Sequence, residues 1–226
     1  MSSLNARSSI LRPAIGVLGG SFDPIHAAHL QLARDASDAL GLSEVRLLPT
    51  AQAWQKGPQT DAAHRAEMVR LAIASEPGLV LDLREIARGG PSYTIDTLRE
   101  LRAQLGAHTP IVFIMGGDQI ERLDTWNDWD KLLDLAHIAV ARRNGRVLVL
   151  DDRLHAWFNA HWAPAASLTG SPAGHVTEFD MTPVDAAATD IRQWLREPPS
   201  AQRDARLARI VAPAVLDYIE AHQLYQ

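Results

Sequence analysis

The sequence predicts an α/β protein with a Rossmann-like, doubly wound parallel sheet and a small helical extension at its C-terminal end. Short apolar runs closed by glycine or proline alternate with segments of helical periodicity. Strands that alternate with helices of about 10–15 residues are typical of one parallel sheet with crossover helices. Ligands of such sheets bind at the carboxyl ends of the strands, so the loops after Leu18, Pro49 and Met115 should share one edge.

The predicted strands are short and apolar, and the clearest one ends at Met115 and is closed by two glycines. In the first predicted helix, Leu30, Ala33 and Ala36 lie near helical spacing, and Gly41 ends it as a C-terminal glycine. Residues 151–180 contain several prolines and glycines, so a loop is predicted there around one helix. The predicted strands are residues 14–18, 45–48, 79–83, 111–115 and 138–141. The predicted helices are residues 26–40, 64–74, 93–105, 126–135, 152–161, 189–196 and 213–222.

The length of 226 residues fits one domain. Residues 1–13 are predicted to be a flexible tail and residues 14–226 a single domain, whose helical C-terminal part begins at about residue 185. Apolar residues make up 46% and charged residues 22%, which is ordinary for a soluble protein. With no cysteine in the sequence, disulfides, cysteine-based zinc sites and thiol catalysis are excluded.

The charge and hydropathy of the chain narrow the classes of partner. A net charge of −5 argues against a protein that binds along the nucleic-acid backbone, so no nucleic-acid partner is predicted. No segment has the apolar length of a membrane span or of a signal-peptide core, so no membrane partner is predicted. The cytoplasm is the expected compartment, and an oligomer is possible on these data.

Residues 19–30, where the first strand passes into the first helix, are the most informative segment. Gly19 and Gly20 allow the backbone to approach a phosphate closely, and the helix N-terminus offers unpaired N–H groups. His26 and His29, at positions i and i+3, lie on one helix face, with Cβ atoms roughly 5–6 Å apart. Such imidazoles can stabilise a polyphosphate electrostatically. The alternatives are two surface histidines or a metal site, and no third metal ligand is evident nearby.

The combination of Gly-Gly, Phe-Asp-Pro and His-x-x-His resembles the nucleotidyltransferases with an H-x-G-H motif. It is most similar to bacterial nicotinate-nucleotide adenylyltransferases, which have G-G-x-F-D-P-x-H-x-G-H at this place; here Ala28 stands for the second glycine. The resemblance extends over roughly residues 14–225. It implies that ATP is bound by the first loop and by three later segments. The implied catalytic residues are His26, His29 and Arg192, and the implied ATP-binding residues are Gly19, Gly20, Ser21, Phe22, Asp118, Arg142, Thr189 and Arg192.

Two of those later segments follow strands. Residues 115–119 resemble the family's G-x-D segment, in which the aspartate, here Asp118, touches the nucleotide ribose. The alternative is that Asp118 caps a helix. Arg142 resembles a family arginine near the adenine, and Arg143 is a weaker candidate for that role.

The resemblance also implies a site for the acceptor. Residues 88–98 resemble the family's G-P-S-Y-T-x-D-T-L segment, which faces the pyridine carboxylate; helix capping by Ser92 or Thr94 is the alternative or additional role. Trp126 could stack on the pyridine ring, or it could pack in the core together with Trp129. Lys56 keeps the lysine of the family's P-P-H-K segment, although a loop lysine is usually only solvated. The implied acceptor-binding residues are Lys56, Ser92, Tyr93, Thr94 and Trp126.

One departure from the family's pattern lies near the C-terminus. The family has I-S-S/A-T-x-I-R at the start of a late helix, and this chain has Ala187 where serine is usual. Thr189 and Arg192 stay in register, and Thr189 could also be a simple N-cap. A missing hydroxyl contact, typically worth about 0.5–1.5 kcal/mol, predicts weaker ATP binding without loss of activity.

These features predict transfer of the adenylyl group of ATP to nicotinate mononucleotide, giving deamido-NAD and pyrophosphate. Mg²⁺ is expected as cofactor, bound through the ATP phosphates without a dedicated cage of protein ligands. Other acceptors, pantetheine phosphate or nicotinamide mononucleotide, stay open as alternatives. So does a nucleotide-binding module without catalytic activity, which Ala187 alone favours. An RNA-binding relative of the aminoacyl-tRNA synthetases is disfavoured by the absence of a basic surface.

Overall fold

The computed structural model describes residues 13–52, 57, 59–143 and 147–226. In these residues six strands form one parallel sheet in the order β3-β2-β1-β4-β5-β6. Lys56 and the predicted N-terminal tail up to residue 12 lie outside the described residues. The strands are β1 Ala14–Gly20, β2 Leu42–Pro49, β3 Leu79–Leu81, β4 Ile111–Gly116, β5 His137–Arg143 and β6 Val176–Met181.

Helices cover both faces of the sheet, which confirms the predicted doubly wound architecture. The α-helices are α1 Ala27–Leu40, α2 Ala62–Ala72, α3 Arg84–Arg88, α4 Thr94–Leu105, α5 Gly117–Ile120, α6 Asp152–His161, α7 Ala188–Arg196, α8 Ala201–Ala208 and α9 Pro213–Ala221. Three 3₁₀ helices, Leu123–Thr125, Trp129–Asp134 and Ala165–Gly170, lie between them. The last three α-helices form the predicted C-terminal extension. None of the helices in the described ranges combines the length and the apolar character needed to cross a bilayer.

Alternation along the strands divides the buried apolar residues into two layers. On β5, Ala139 and Ala141 pack toward α1 and the C-terminal helices, whereas Ile138 and Val140 pack toward α4 and α6. Successive side chains of a strand point to opposite faces, so one strand supplies both layers. The strand order reverses between β1 and β4, which is where a doubly wound sheet opens a crevice for ligands.

Two of the sequence predictions were wrong. Residues 176–181 form the edge strand β6, although a loop was predicted there; Val176, Phe179 and Met181 are buried in it. The helix predicted over residues 126–135 is absent. Trp126 is extended and Asp128 is left-handed, with φ 50°, so only the 3₁₀ helix Trp129–Asp134 follows. The short helices α3 and α8 were not predicted.

Substitution of Ile114 by alanine tests the buried layer between the sheet and α1. Ile114 is 1% exposed on the central strand β4, so its loss leaves a cavity and should lower the free energy of unfolding by about 2–5 kcal/mol. Val147→Ala is the control, because Val147 is 80% exposed and should change stability by less than about 0.5 kcal/mol. Urea unfolding measures both variants. Equal effects would contradict the assigned packing.

Candidate active site

The candidate site is built around the end of β1. Gly20 lets the ring of Phe22 pack closely there, because a Cβ at this position would lie 3.0 Å from that ring. Phe22 has a left-handed backbone conformation, with φ 47°, and is 1% exposed. Its ring is buried inside the loop and packs edge-on against His29. The side chain of Phe22 thus supports the loop from inside the protein, and the ATP contact of Phe22 stays a prediction.

The two histidines form a contacting pair where α1 begins. The ring centroids of His26 and His29 are 3.8 Å apart, and Nδ1 of His29 accepts a hydrogen bond from the backbone N–H of His26 at 3.3 Å. In that arrangement a neutral His29 has its proton on Nε2. The alternative of two surface histidines is wrong, because His26 is only 6% exposed and His29 is half-buried.

His26 is neutral in this structure near pH 7. Burial, and then the charge of Arg143, lower the pKa of His26 to about 4. Its Nδ1 atom has no hydrogen-bond partner among the described residues. A buried ring nitrogen without a partner, next to a helix N-terminus and a cation, is suited to accept or share a proton when an anion enters.

Arg192 reaches the same loop from the C-terminal extension. Its Nη1 donates to the backbone carbonyl of Asp23 at 2.6 Å, three residues before His26. Its Nη2 lies 3.4 Å from the hydroxyl of Thr189. The N-cap of α7 is Ala187, so the alternative that Thr189 is the N-cap is wrong. Thr189 thus lies on the first turn of α7 and Arg192 directly after that turn, both beside the histidine loop.

Arg142 and Arg143 point to opposite sides of β5. Arg142 is paired with Asp180 of β6 at 2.8 Å, whereas the charge of Arg143 acts on His26. Arg142, which the sequence assigns to the adenine, stays a prediction, and Arg143 is the arginine that lies on the histidine side. Both arginines, with Asp118, border a second depression over the ends of β4 and β5. The N-cap of α5 is Gly116, so a capping role for Asp118 is wrong.

A cavity opens on the other face of β1. The space inside it, together with its open mouth, is about 720 Å³. Its walls come from the ends of β1, β2 and β4, which confirms that the loops after these strands share one edge. The cavity is lined by Val17, Gly19, Gly20, Ser21, Leu48, Thr50, Glu85, Ser92, Thr94, Thr97, Phe113, Gln119 and Trp126.

The segment before α4 contributes to this cavity without capping the helix. The hydroxyl of Ser92 accepts a hydrogen bond from the N–H of Ala51 at 2.9 Å, so it ties this segment to the loop after β2. Tyr93 is the N-cap of α4 and makes no side-chain cap bond; Thr94 is the first helical residue. Helix capping by Ser92 or Thr94 is therefore wrong, and Thr94 faces the cavity at the positive end of α4.

The two tryptophans have different roles. Trp126 lines the cavity, half-buried, with its ring edge-on to Phe113 at 6.0 Å. Trp129 is buried against Trp157, and the guanidinium of Arg153 lies 5.0 Å from its ring centroid. The core alternative thus holds for Trp129, and Trp126 is free to present its face to a ligand.

Sequence analysis missed Glu85, which lies on the cavity wall and is 5% exposed. Its carboxyl accepts a hydrogen bond from Thr97 at 2.7 Å, and Thr97 also accepts from Arg88 at 3.0 Å. Burial raises the pKa of Glu85, against the lowering effect of Thr97 and Ser92. Glu85, Thr97 and Arg88 are thus linked by hydrogen bonds, and Arg88 also binds the carboxylate of Glu100. These bonds hold the segment between α3 and α4 in place.

Arg65 was also missed as a functional residue, because its partners are backbone carbonyls from two loops. It is 1% exposed, and its guanidinium donates to the carbonyls of Ser21, Thr50 and Thr60 at 2.7, 2.6 and 2.8 Å. Burial lowers the pKa of Arg65, whereas the carboxylate of Asp23 raises it. The residue fixes the loops after β1 and β2 relative to each other.

The residues that the structure describes contain no group of three or more His, Asp or Glu side chains arranged to hold a metal ion. A divalent ion at this site would therefore have to be bound chiefly by ligand phosphates and water, as Mg²⁺ commonly is.

A parallel sheet with a glycine loop, paired histidines and an arginine at its reversal point defines a nucleotidyltransferase. The family described as Cytidylyltransferase-like matches residues 17–193. Relatives named "Probable nicotinate-nucleotide adenylyltransferase" are similar over nearly the whole chain. The relative from Laribacter hongkongensis is 43% identical and covers 95% of this chain and 96% of its own length. The one from Aeromonas salmonicida is 42% identical and covers 96% and 99%.

The fold comparison agrees with the sequence relatives. The Plasmodium falciparum nicotinic acid mononucleotide adenylyltransferase complexed with NaAD superposes with a TM-score of 0.72 at 19% identity, covering 95% of this chain and 98% of that one. The chain belongs to the nicotinate-nucleotide adenylyltransferase family, and it is a nucleotidyltransferase. Enzymes of this type use a divalent metal and nucleotide substrates.

The lowered pKa of His26 makes stability depend on pH. The pKa rises from about 4 in the folded state to 6.5 on unfolding, so the unfolded chain binds the proton more strongly. The stabilisation is complete above pH 6.5 and is lost as the pH falls toward 4. From pH 7 to pH 5, wild type should lose about 2 kcal/mol more unfolding free energy than His26→Asn.

Urea unfolding at the two pH values measures that difference. His108→Asn, in an exposed turn, is the matched control and should show the same pH dependence as wild type. If His26→Asn loses as much stability on acidification as wild type, His26 is not the buried neutral imidazole described above.

Proposed function

We propose that the chain transfers the adenylyl group of ATP to the 5′-phosphate of nicotinate mononucleotide. A phosphate oxygen of the acceptor attacks the α-phosphorus of ATP, the bond from that phosphorus to the bridging oxygen of the β-phosphate breaks, and pyrophosphate leaves. The product is deamido-NAD. A general base is unnecessary because the attacking phosphate is already ionised. The cytoplasm is the proposed compartment, since the reaction consumes ATP.

The observation that carries the proposal is the division of the site by the end of β1. On one side Arg192 and Arg143 concentrate positive potential beside the histidine pair, next to the N-termini of α1 and α7. On the other side lies a largely apolar cavity with an aromatic wall. A triphosphate fits the first environment and a pyridine ring fits the second. The reacting phosphates then meet above Gly19, Gly20 and Ser21.

The phosphate side supplies electrostatic stabilisation. Charge on the β- and γ-phosphates increases as pyrophosphate leaves, and His26, His29 and Arg192 are the donors proposed to stabilise it. The triphosphate raises the pKa of the neutral His26 imidazole, so it can share a proton with the departing charge. Mg²⁺, bound through the phosphates, would neutralise part of their charge. Asp118 and Arg142 border the depression proposed for the adenosine.

The acceptor side supplies recognition. Trp126 is proposed to stack on the pyridine ring, and Thr94 to meet its carboxylate at the N-terminus of α4, where an anion is favoured. Ser92 and Tyr93 hold that terminus in position. Lys56 stays a candidate ligand of the acceptor from the sequence alone.

Pyrophosphate release from ATP and Mg²⁺, measured with a panel of acceptors, tests the function. Nicotinate mononucleotide should support the highest kcat/KM, above nicotinamide mononucleotide and pantetheine phosphate. His26→Ala and His29→Ala should each lower kcat by about 10²–10³-fold, because each removes an electrostatic contact made mainly in the transition state. His108→Ala is the control and should match wild type. If none of the acceptors in the panel gives pyrophosphate release, a non-catalytic module is favoured. A preference for pantetheine phosphate would reassign the acceptor.

Ala187→Ser tests the role of the first turn of α7 in ATP binding. Ala187 is the N-cap and has no side chain able to cap the helix, so a serine adds an acceptor for a free backbone N–H and a hydroxyl near the phosphates. The KM for ATP should fall by about 2- to 10-fold, equivalent to one hydrogen bond. Ala212→Ser is the matched control, since Ala212 is the N-cap of α9. An equal fall in KM for both variants, or in neither, would contradict this role.

A further inference from the structure

The carboxylate of Asp23 joins the catalytic loop to the end of the chain. Asp23 is buried, and its Oδ1 accepts a hydrogen bond from the hydroxyl of Tyr225 at 2.7 Å. Its Oδ2 accepts from the backbone N–H of Thr60 at 3.3 Å, and its carbonyl accepts from Arg192 at 2.6 Å. One residue of the Phe-Asp-Pro segment is thus held by three separate parts of the chain.

Tyr225 is suited to be a permanent donor. Burial raises the pKa of its phenol well above the ordinary value, so the hydroxyl stays protonated through the neutral range. The hydroxyl also lies 3.9 Å from the sulfur of Met68 on α2, which places the ring between α2 and the catalytic loop. The residue has φ 67°, so the chain turns back toward the site after α9.

The contact completes a buried charge cluster. Asp23 is the negative group that most favours the charged form of Arg65, the residue that binds the loop carbonyls. A buried carboxylate next to a buried guanidinium must keep a fixed orientation, because each loses hydration. The hydroxyl of Tyr225 fills one acceptor site of that carboxylate and so restricts its rotation.

We propose that Tyr225 is a positioning residue of the adenylyl-transfer site. Through the carboxylate of Asp23 it fixes the turn that leads into His26, and with it the carbonyl that orients Arg192. The proposal rests on the proposed function. The competing explanation is that Tyr225 only anchors the C-terminal segment, in which case its loss lowers stability and leaves the kinetics of the folded enzyme unchanged.

Tyr225→Phe removes the hydroxyl and keeps the ring. We expect kcat with ATP and nicotinate mononucleotide to fall about tenfold, because a hydrogen bond to a charged group is lost and the transition-state contacts are misaligned. The KM for nicotinate mononucleotide should stay within about twofold, since its cavity lies on the other face of β1. Tyr218→Phe is the matched control: it removes a hydroxyl bonded to His64 at 2.9 Å, between α2 and α9, and should keep wild-type kinetics.

A double-mutant cycle separates positioning from anchoring. If Tyr225 acts through Asp23, the effects of Tyr225→Phe and Asp23→Asn on kcat should be strongly non-additive. Additive effects, a kcat of Tyr225→Phe within twofold of wild type, or an equal loss in Tyr218→Phe would overturn the proposal. Denaturation curves show whether each variant is folded under assay conditions.

Hydrogen exchange supplies a readout that does not depend on the acceptor. Amides of residues 20–23, of Ile25 and His26, and of Thr60 should exchange faster in Tyr225→Phe than in wild type or Tyr218→Phe. Faster exchange in an enzyme that is inactive with nicotinate mononucleotide would refute the proposed function and leave the positioning contact intact. Unchanged exchange at these amides would overturn the proposal even if the enzyme is active.

Discussion

The geometry of the site depends on one buried cation. Arg65 donates to carbonyls of the loops after β1 and β2, and those loops form the rim on which both halves of the site are built. Carbonyl acceptors only partly replace the water that a guanidinium loses, so the nearby carboxylate of Asp23 is needed as well. The arrangement turns two loops into a rigid platform, which is what electrostatic catalysis by preset groups requires.

The charge distribution on the histidine side follows from that platform. His26 is forced into a buried position near Arg143, and Arg192 approaches from the C-terminal extension. Two cations and two helix N-termini then face a region that contains a neutral imidazole. A region of this charge attracts anions such as a polyphosphate. A bound anion would raise the pKa of His26, which burial and Arg143 lower in its absence.

The strand β1 separates this region from the cavity proposed for the acceptor. Side chains of a strand alternate between its two faces. At Gly19 and Gly20 no side chain lies between the histidine region and the cavity, so these two regions are closest there. Trp126 closes the cavity because the segment before Trp129 is extended and has no α-helical turn. In the helix predicted across these residues, Trp126 and Trp129 would have lain on the same helix face. The left-handed Asp128 between them places the two side chains in different surroundings instead.

The sequence by itself determined the parallel sheet, the helix boundaries near Gly41 and Leu105, and the glycine–histidine loop, because periodicity and turn residues are local signals. It did not determine β6, although Glu178 to Met181 alternate in polarity, since the prolines and glycines before this strand gave a stronger loop signal. Tertiary structure alone decided which arginine lies beside His26, because Arg142 and Arg143 differ only in the face of β5 to which they point. It also decided the roles of Glu85, Arg65 and Tyr225, whose partners are backbone groups or residues far along the chain. Such partners leave no pattern in a linear sequence, because they come together only when the sheet has closed around them.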